Sequence, residues 1–181
     1  MVKKDRKSSK KLELLKCLLE DPTRSVSKTA EMIGTYERMV WQKKKELEAD
    51  HTIWGYTTVI DESKVNHALY EALFKIKPMS KSFVDLIIER LTSEAPMKEG
   101  VRLIDVFYTT GDYACIVRFS APDHVTAKVY YETLRIVYED FFLEEPLLLE
   151  INFPLVRTGK LNPEIEKLYD FLPKVKTKIR A

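Results

Sequence analysis

Cysteine and histidine are scarce in this 181-residue chain, with two of the first and three of the second. Cys17 and Cys115 lie far apart, each inside an apolar stretch. That excludes a disulfide framework and predicts two small buried hydrophobes in a reducing cytoplasm. His51, His67 and His124 have no second histidine or cysteine at ligand spacing, so no zinc site and no cofactor are expected. Glycine is equally sparse, at five residues, and neither a glycine-rich phosphate loop nor a G-x-S-x-G elbow is present. With no metal pair either, no catalytic constellation emerges, and the chain is expected not to be an enzyme. No apolar run approaches the ~18 residues of a membrane span, so no membrane partner is predicted. The start, MVKKDRKSSKK, is basic, but Glu13 and Lys16 interrupt the apolar stretch behind it, which predicts no secretory signal.

What is present is a globular composition: 45% of residues are apolar, enough to bury a core. The net charge of +2 is unevenly spread. Residues 1–50 carry 13 Lys/Arg against 9 Asp/Glu, residues 51–155 carry 10 against 16, and residues 156–181 carry 7 against 3. A basic head on an acidic body implies that any polyanion is met by the head, because Lys and Arg drive phosphate binding through counterion release. A solvated tail with ordinary surface charge is the alternative.

Leu12, Leu15 and Leu19, flanked by Leu14 and Leu18, recur at helical spacing, and Asp21-Pro22 ends that helix. Ser25 or Ser27 can cap a second helix with Val26, Ala30 and Ile33 inward. Gly34 breaks it, and a third helix runs from about Tyr36 to Glu48 with Val40 and Leu47 inward. This is a helix-turn-helix pattern. Thr52 to Ile60, rich in β-branched and aromatic residues, reads as a strand. Residues 67–77 alternate, with Ala68, Tyr70, Ala72, Phe74 and Ile76 on one face and Leu69 and Leu73 on the other. A helix at about 81–92 turns Phe83, Leu86, Ile87 and Leu91 inward. Strands near 101–109 and 113–120 are joined by Thr110-Gly111-Asp112. A helix at about 122–141 turns Val129, Tyr130, Leu134 and Val137 inward, and the last strand is expected at about 146–153. The order βαββαβ is the ferredoxin-like arrangement, a four-stranded sheet with both helices on one face. The other sheet face, carrying Leu69 and Leu73, then seeks a partner, which predicts a homodimer unless the tail after Pro154 covers it. Asn162-Pro163-Glu164 marks a further helix start, with Pro173 as its stop.

The stretches LELLKCLLEDPTRSVSKTAEMIG and TYERMVWQKKKELEADHTIWGYTTVID (residues 12–61) resemble the N-terminal half of the leucine-responsive and asparagine-regulator (Lrp/AsnC) transcription regulators. Residues 65–156 resemble that family's regulatory domain, whose central hairpin carries a TGDYD-like signature, here TTGDYA at Thr109 to Ala114. The resemblance implies a helix-turn-helix DNA-binding domain, which with its basic tail takes residues 1–51, and a βαββαβ effector-binding and dimerisation domain at 65–156. The residues themselves add a linking strand at 52–64 and, outside the resemblance, a C-terminal helical basic extension at 157–181, so the chain is expected to be α+β. The resemblance also implies double-stranded DNA as partner, dimers that assemble further into octamers, and an amino-acid effector bound near the hairpin.

On the third helix the stripe opposite Val40 and Leu47 is Arg38, Gln42 and Lys45, with Glu37 and Trp41 beside it. Arginine pairs bidentately with guanine and glutamine with adenine, so Arg38 and Gln42 are the base-reading candidates. Lys43, Lys44 and Lys45 would contact phosphate, and Ser27, Thr35 and Tyr36 can donate hydroxyls near helix starts. Lys3, Lys4, Arg6, Lys7, Lys10 and Lys11 would add non-specific phosphate contacts, as could Lys174, Lys176, Lys178 and Arg180. Thr35 and Tyr36 replace the family's usual leucine and serine, Lys44 stands where an aliphatic residue is usually buried, and Glu37 is negative where a phosphate would pass. In the hairpin, Thr110, Gly111, Asp112 and Tyr113 match the family signature. Glycine exposes backbone N–H groups to a carboxylate and Asp112 can pair an ammonium, while Ala114 replaces a second Asp. Two other readings stay open: an effector-binding or assembly protein with a degenerate DNA-binding domain, and an enzyme resembling the siroheme decarboxylases, which share this two-part architecture.

Overall fold

The computed structural model describes residues 2–93, 97–98 and 100–173, with side chains from residue 9 onward except at 97–98. The chain divides into two compact units, residues 1–58 and 59–181.

The first unit is built from α1 (Val2–Glu20), α2 (Val26–Met32) and α3 (Glu37–Ala49). Its core gathers Leu14, Cys17, Ala30, Ile33, Val40 and Leu47. Of the two serines able to cap α2, Ser25 does so, accepting the Lys28 N–H at 3.2 Å. Gly34 takes φ +60°, the left-handed turn that leads into α3. Several faces differ from the expectation. Five leucines crowd α1, which left its inner stripe ambiguous; Leu14 and Cys17 point in, while Leu12 and Leu19 are exposed. On α2 the buried set is Thr29, Ala30 and Ile33, and Val26 is exposed. The basic N-terminal segment is not a separate tail but the first turns of α1. The side chains of Lys3, Lys4, Arg6 and Lys7 lie outside the described residues, whereas Lys10 donates to the Ile33 carbonyl and Lys11 pairs with Asp50 at 2.6 Å.

The ammonium of Lys11 and the Thr52 N–H hold the Asp50 carboxyl well down, from 3.8 to about 2. A carboxylate with a depressed folded-state value stabilises above its unfolded value and loses that contribution as pH falls through the folded one. The unfolding midpoint of this unit should therefore drop between about pH 4 and about pH 2 by more in the wild type than in Asp50→Asn. Both tryptophans, Trp41 and Trp54, lie in this unit, so denaturation followed by tryptophan fluorescence reads it; equal acid sensitivity in the two proteins would refute the pairing.

The expected strand at Thr52–Ile60 does not form. Its residues suit a strand, but none of the described strands pairs with it, and an unpaired β-segment has no ladder to hold it.

The second unit contains β1 (Ala68–Phe74), α4 (Lys81–Ser93), β2 (Met97–Lys98), β3 (Val101–Tyr108), β4 (Cys115–Ala121), α5 (His124–Val137) and β5 (Leu147–Ile151), followed by a small hairpin of β6 (Val156–Arg157) and β7 (Lys160–Leu161). The four long strands are antiparallel in the order β3-β4-β1-β5, with the two-residue β2 at the β3 edge. This is the ferredoxin-like order expected from the sequence. The predicted stripe of β1 is correct: Tyr70, Ala72, Phe74 and Ile76 are buried with Val117, Phe119 and Ala121. A bulge between Leu103 and Asp105, invisible in the sequence, keeps Asp105 opposite Arg118. On α5 the inward residues are Ala127 and Tyr131, whose hydroxyl donates to the Pro146 carbonyl, while Val129 is exposed. The helix predicted after Asn162 is instead a 3₁₀ helix, Ile165–Phe171; Asn162 still accepts the Glu164 N–H at 2.8 Å.

The sheet face away from the helices is neither wholly open nor wholly apolar. Leu69, Ser120 and Arg102 stand in one row across β1, β4 and β3. Over that end sits a 3₁₀ helix, Glu62–Val65, whose Glu62 is 3% exposed and receives Arg102 at 2.6 Å and Arg157 from the hairpin beyond Pro154. Leu69 is buried there. The middle row is ionic, with Arg118 between Glu71 (2.7 Å) and Asp105 (3.1 Å). Among the described residues, only the far row, Leu73, Ile116, Phe107 and Leu147, joined by Leu149, remains apolar and open, Phe107, Leu147 and Leu149 being 43–46% exposed.

Candidate nucleic-acid interface and effector turn

The two short helices of the helix-turn-helix bury one stripe each and present the other. On α3, Val40, Lys43 and Leu47 pack inward at i, i+3 and i+7. Tyr36, Glu37, Arg38, Trp41, Gln42 and Lys45 are exposed, as is Ser27 on α2; Thr35 is half-buried. The side chains proposed to read bases, Arg38 and Gln42, thus reach solvent on the face opposite the core.

The lysine run divides three ways. Lys43 is 5% exposed, so its expected phosphate contact is corrected: the helical period places it between Val40 and Leu47, where its aliphatic stem packs. Lys44 is half-buried with its ammonium 4.5 Å from the centre of the Tyr56 ring. A cation over an aromatic face is attracted by the ring quadrupole, which accounts for a lysine at a position suited to an aliphatic residue. Lys45 is exposed and lies 4.0 Å over Trp41. Burial, with the hydrogen bond its hydroxyl donates to Glu48 at 3.0 Å, pushes Tyr56 up to about 12, so the phenol stays protonated as a donor. Gln42 is within 3.4 Å of Glu46. With Lys43 inside, the exposed charge of α3 is mixed: Arg38 and Lys45 face Glu37, Glu46 and Glu48. The interface is therefore less cationic than the run Lys43-Lys44-Lys45 implies.

The β3–β4 connection spans residues 109–114, longer than the tight turn the Gly-Asp pair suggests. It closes on itself: Thr109 N–H donates to the Ala114 carbonyl at 2.8 Å and the Thr109 hydroxyl to the Tyr113 carbonyl. Thr110, Gly111 and Asp112 are exposed at its tip, and Gly111 takes φ +136°, which side chains rarely adopt. Tyr113 is half-buried beneath Lys75, whose ammonium lies 5.5 Å from the ring centre and 2.8 Å from Glu144. Glu144, with smaller contributions from Tyr113 and Asp112, raises the Lys75 value. The turn thus has a fixed cation and two carboxylates beside it. Lys75 and Glu144 were missed from the sequence because they lie 30 or more residues from the turn and no local pattern marks them.

Among the described residues no group of His, Cys, Asp and Glu can hold a metal ion, and no described helix is long and apolar enough to cross a membrane. Lys174, Lys176, Lys178 and Arg180 lie outside the described residues.

No protein-family model and no curated protein matches the sequence. Solved structures do. The chain is similar to a transcriptional regulator of the AsnC family from Agrobacterium tumefaciens, with 17% identity and a TM-score of 0.61 over 86% of this chain and 96% of that one. It is similar to the leucine response regulatory protein of Mycobacterium tuberculosis, at 16% identity and a TM-score of 0.64 over 83% and 96%. A third is a Neisseria meningitidis transcriptional regulator solved in complex with L-Met, at 12% identity and a TM-score of 0.62 over 84% and 94%. At these identities the likeness establishes the fold, a helical N-terminal unit followed by a ferredoxin-like unit, as in the Lrp/AsnC regulators.

Proposed function

We propose that this chain is a sequence-specific DNA-binding transcription regulator of the Lrp/AsnC type, working in the cytoplasm as a homodimer that assembles further and responds to an amino-acid-like effector. The observation that carries this reading is the exposed stripe Arg38, Trp41, Gln42 and Lys45 on the second helix of a helix-turn-helix, where side chains can enter a major groove. The apolar far end of the sheet face supports pairing of two copies, and a dimer would read half-sites ~34 Å apart or a multiple of it. The neighbouring regulator solved with L-Met makes amino acids the first effectors to titrate. The turn at 109–114, with Lys75 beside it, is where they would act. Cys17 and Cys115 are both free, which suits a reducing compartment.

Arg38→Ala should cost ~1–3 kcal/mol at one base position and relax specificity there, whereas Lys45→Ala should weaken all sequences alike and lower the salt slope by about one. Sites selected from random DNA with each protein, with and without the amino acids, test this. An unchanged Arg38→Ala profile would remove Arg38 from the reading set.

The mixed charge of α3 and the inward Lys43 favour one other reading, an effector-binding or assembly protein whose DNA-binding unit is degenerate. Binding to genomic fragments separates the two: a working reader shows both a steep salt slope and a preferred site.

A further inference from the structure

Helices α4 and α5 do not close completely over the sheet. Between them lies a cavity of about 450 Å³, walled by Phe83 and Ile87 of α4, Tyr130 and Leu134 of α5, and Leu103 and Val117 of the sheet. Its mouth is apolar as well: Leu91, Val125 and Val129 line it and are at least half exposed. The sequence reading missed it because Leu91 and Val129 fit an inward stripe equally well. They belong instead to a gap that depends on how the two helices are spaced.

The chemistry of the lining narrows what fits. The hydroxyl of Thr133 donates to the Val129 carbonyl at 2.9 Å, and that of Thr126 is held by Asp123 at 3.2 Å. Burial pushes the Cys115 thiol up to about 11, so it lines the cavity as a neutral, weakly polar group. Arg90 is the one charged side chain among the described lining residues; it already has an interaction of its own, and its five N–H donors can serve a second acceptor as well. Ligand sites of this size are mostly apolar with a few polar groups that fix orientation. The cavity shares no residue with the 109–114 turn.

We propose that this cavity is a second small-molecule site, distinct from the hairpin turn, that takes an aliphatic monocarboxylate with its chain between α4 and α5 and its carboxylate at Arg90. The inference stands apart from DNA binding and survives if that reading fails.

The full chain is titrated by calorimetry with decanoate below its micelle concentration, with decan-1-ol and hexanoate as comparisons. Saturable binding at one site per chain with a negative heat-capacity change is expected, tighter for decanoate than for either comparison. Val129→Trp and Leu91→Trp, both at half-exposed mouth positions, should weaken decanoate by at least roughly tenfold while circular dichroism stays unchanged. Arg90→Gln should weaken decanoate by about tenfold and leave decan-1-ol as it was. Absence of saturable decanoate binding, or undiminished binding in both tryptophan variants, overturns the site. Equal decanoate and decan-1-ol affinity in the wild type overturns the carboxylate assignment at Arg90.

Discussion

Leu47→Ala is expected to unfold the N-terminal unit at ordinary temperature and to abolish specific DNA binding with it. Leu47 is fully buried among Leu14, Ile33, Val40 and the partly buried Ile53, whose N–H also donates to the Leu47 carbonyl at 3.0 Å. Truncating a buried leucine removes its transfer energy and leaves a cavity, together costing about 2–5 kcal/mol. A unit of fewer than 60 residues seldom has more than about 3–5 kcal/mol to lose. The cost therefore competes with the whole stability of the unit. The two cores share no residue, so the ferredoxin-like unit should keep its strand signal in circular dichroism while Trp41 and Trp54 report loss of structure. Leu47→Met, which conserves volume, should cost less than about 1.5 kcal/mol and retain binding. If Leu47→Ala kept a native tryptophan spectrum and a normal denaturation midpoint, the three-helix core would be wrongly assigned.

The sequence disclosed the fold where each residue type left one choice. Alternation over residues 68–76 is a period-two pattern that one helix-covered face satisfies, and the structure uses that stripe. Gly34 and Ser25 mark the turn and the cap through local geometry that does not depend on distant packing. Where the pattern was degenerate, tertiary packing decided. α1 offers leucine on several faces, and Val129 fits both the core and the mouth of the cavity. Lys43 was misplaced because charge was taken as a sign of exposure, although a lysine stem packs like an aliphatic chain. The Thr52–Ile60 segment has strand-forming residues, but a strand is a pairing, and pairing is not written in one segment. For the same reason the bulge at Leu103/Asp105, the Lys75–Glu144 pair beside the turn and the double-arginine clasp on Glu62 left no local trace. The structure places the candidates at 35–45 on and beside α3 and those at 110–113 in one turn, but which of them are exposed was not legible in the sequence.

Glu62→Ala should be the most damaging single charge removal in the second unit. Glu62 is 3% exposed, and its two oxygens receive guanidiniums from β3 and from the hairpin after Pro154. Removing one member of a buried ionic cluster leaves the others desolvated without a counter-charge, which costs about 3–5 kcal/mol. Arg102 and Arg157 are 31% and 20% exposed, so water recovers part of that loss, and about 3 kcal/mol, the low end of the range, is expected. The ionic cluster itself is not a large source of stability, because desolvating three charges offsets most of their attraction. Replacing all three together, Glu62→Leu with Arg102→Met and Arg157→Leu, should therefore restore most of what Glu62→Ala loses. Arg157 also donates to the Ile60 carbonyl at 2.7 Å. Freeing it should loosen the β6–β7 hairpin, seen as faster hydrogen exchange at the Asn162 N–H, which the Leu155 carbonyl accepts at 2.9 Å. If the triple variant were as unstable as Glu62→Ala, the loss would come from packing at the sheet end rather than from orphaned arginines. If Glu62→Ala cost less than about 1 kcal/mol, the expected value for a solvent-exposed pair, Glu62 would not be the counter-charge that ties the C-terminal hairpin to the sheet.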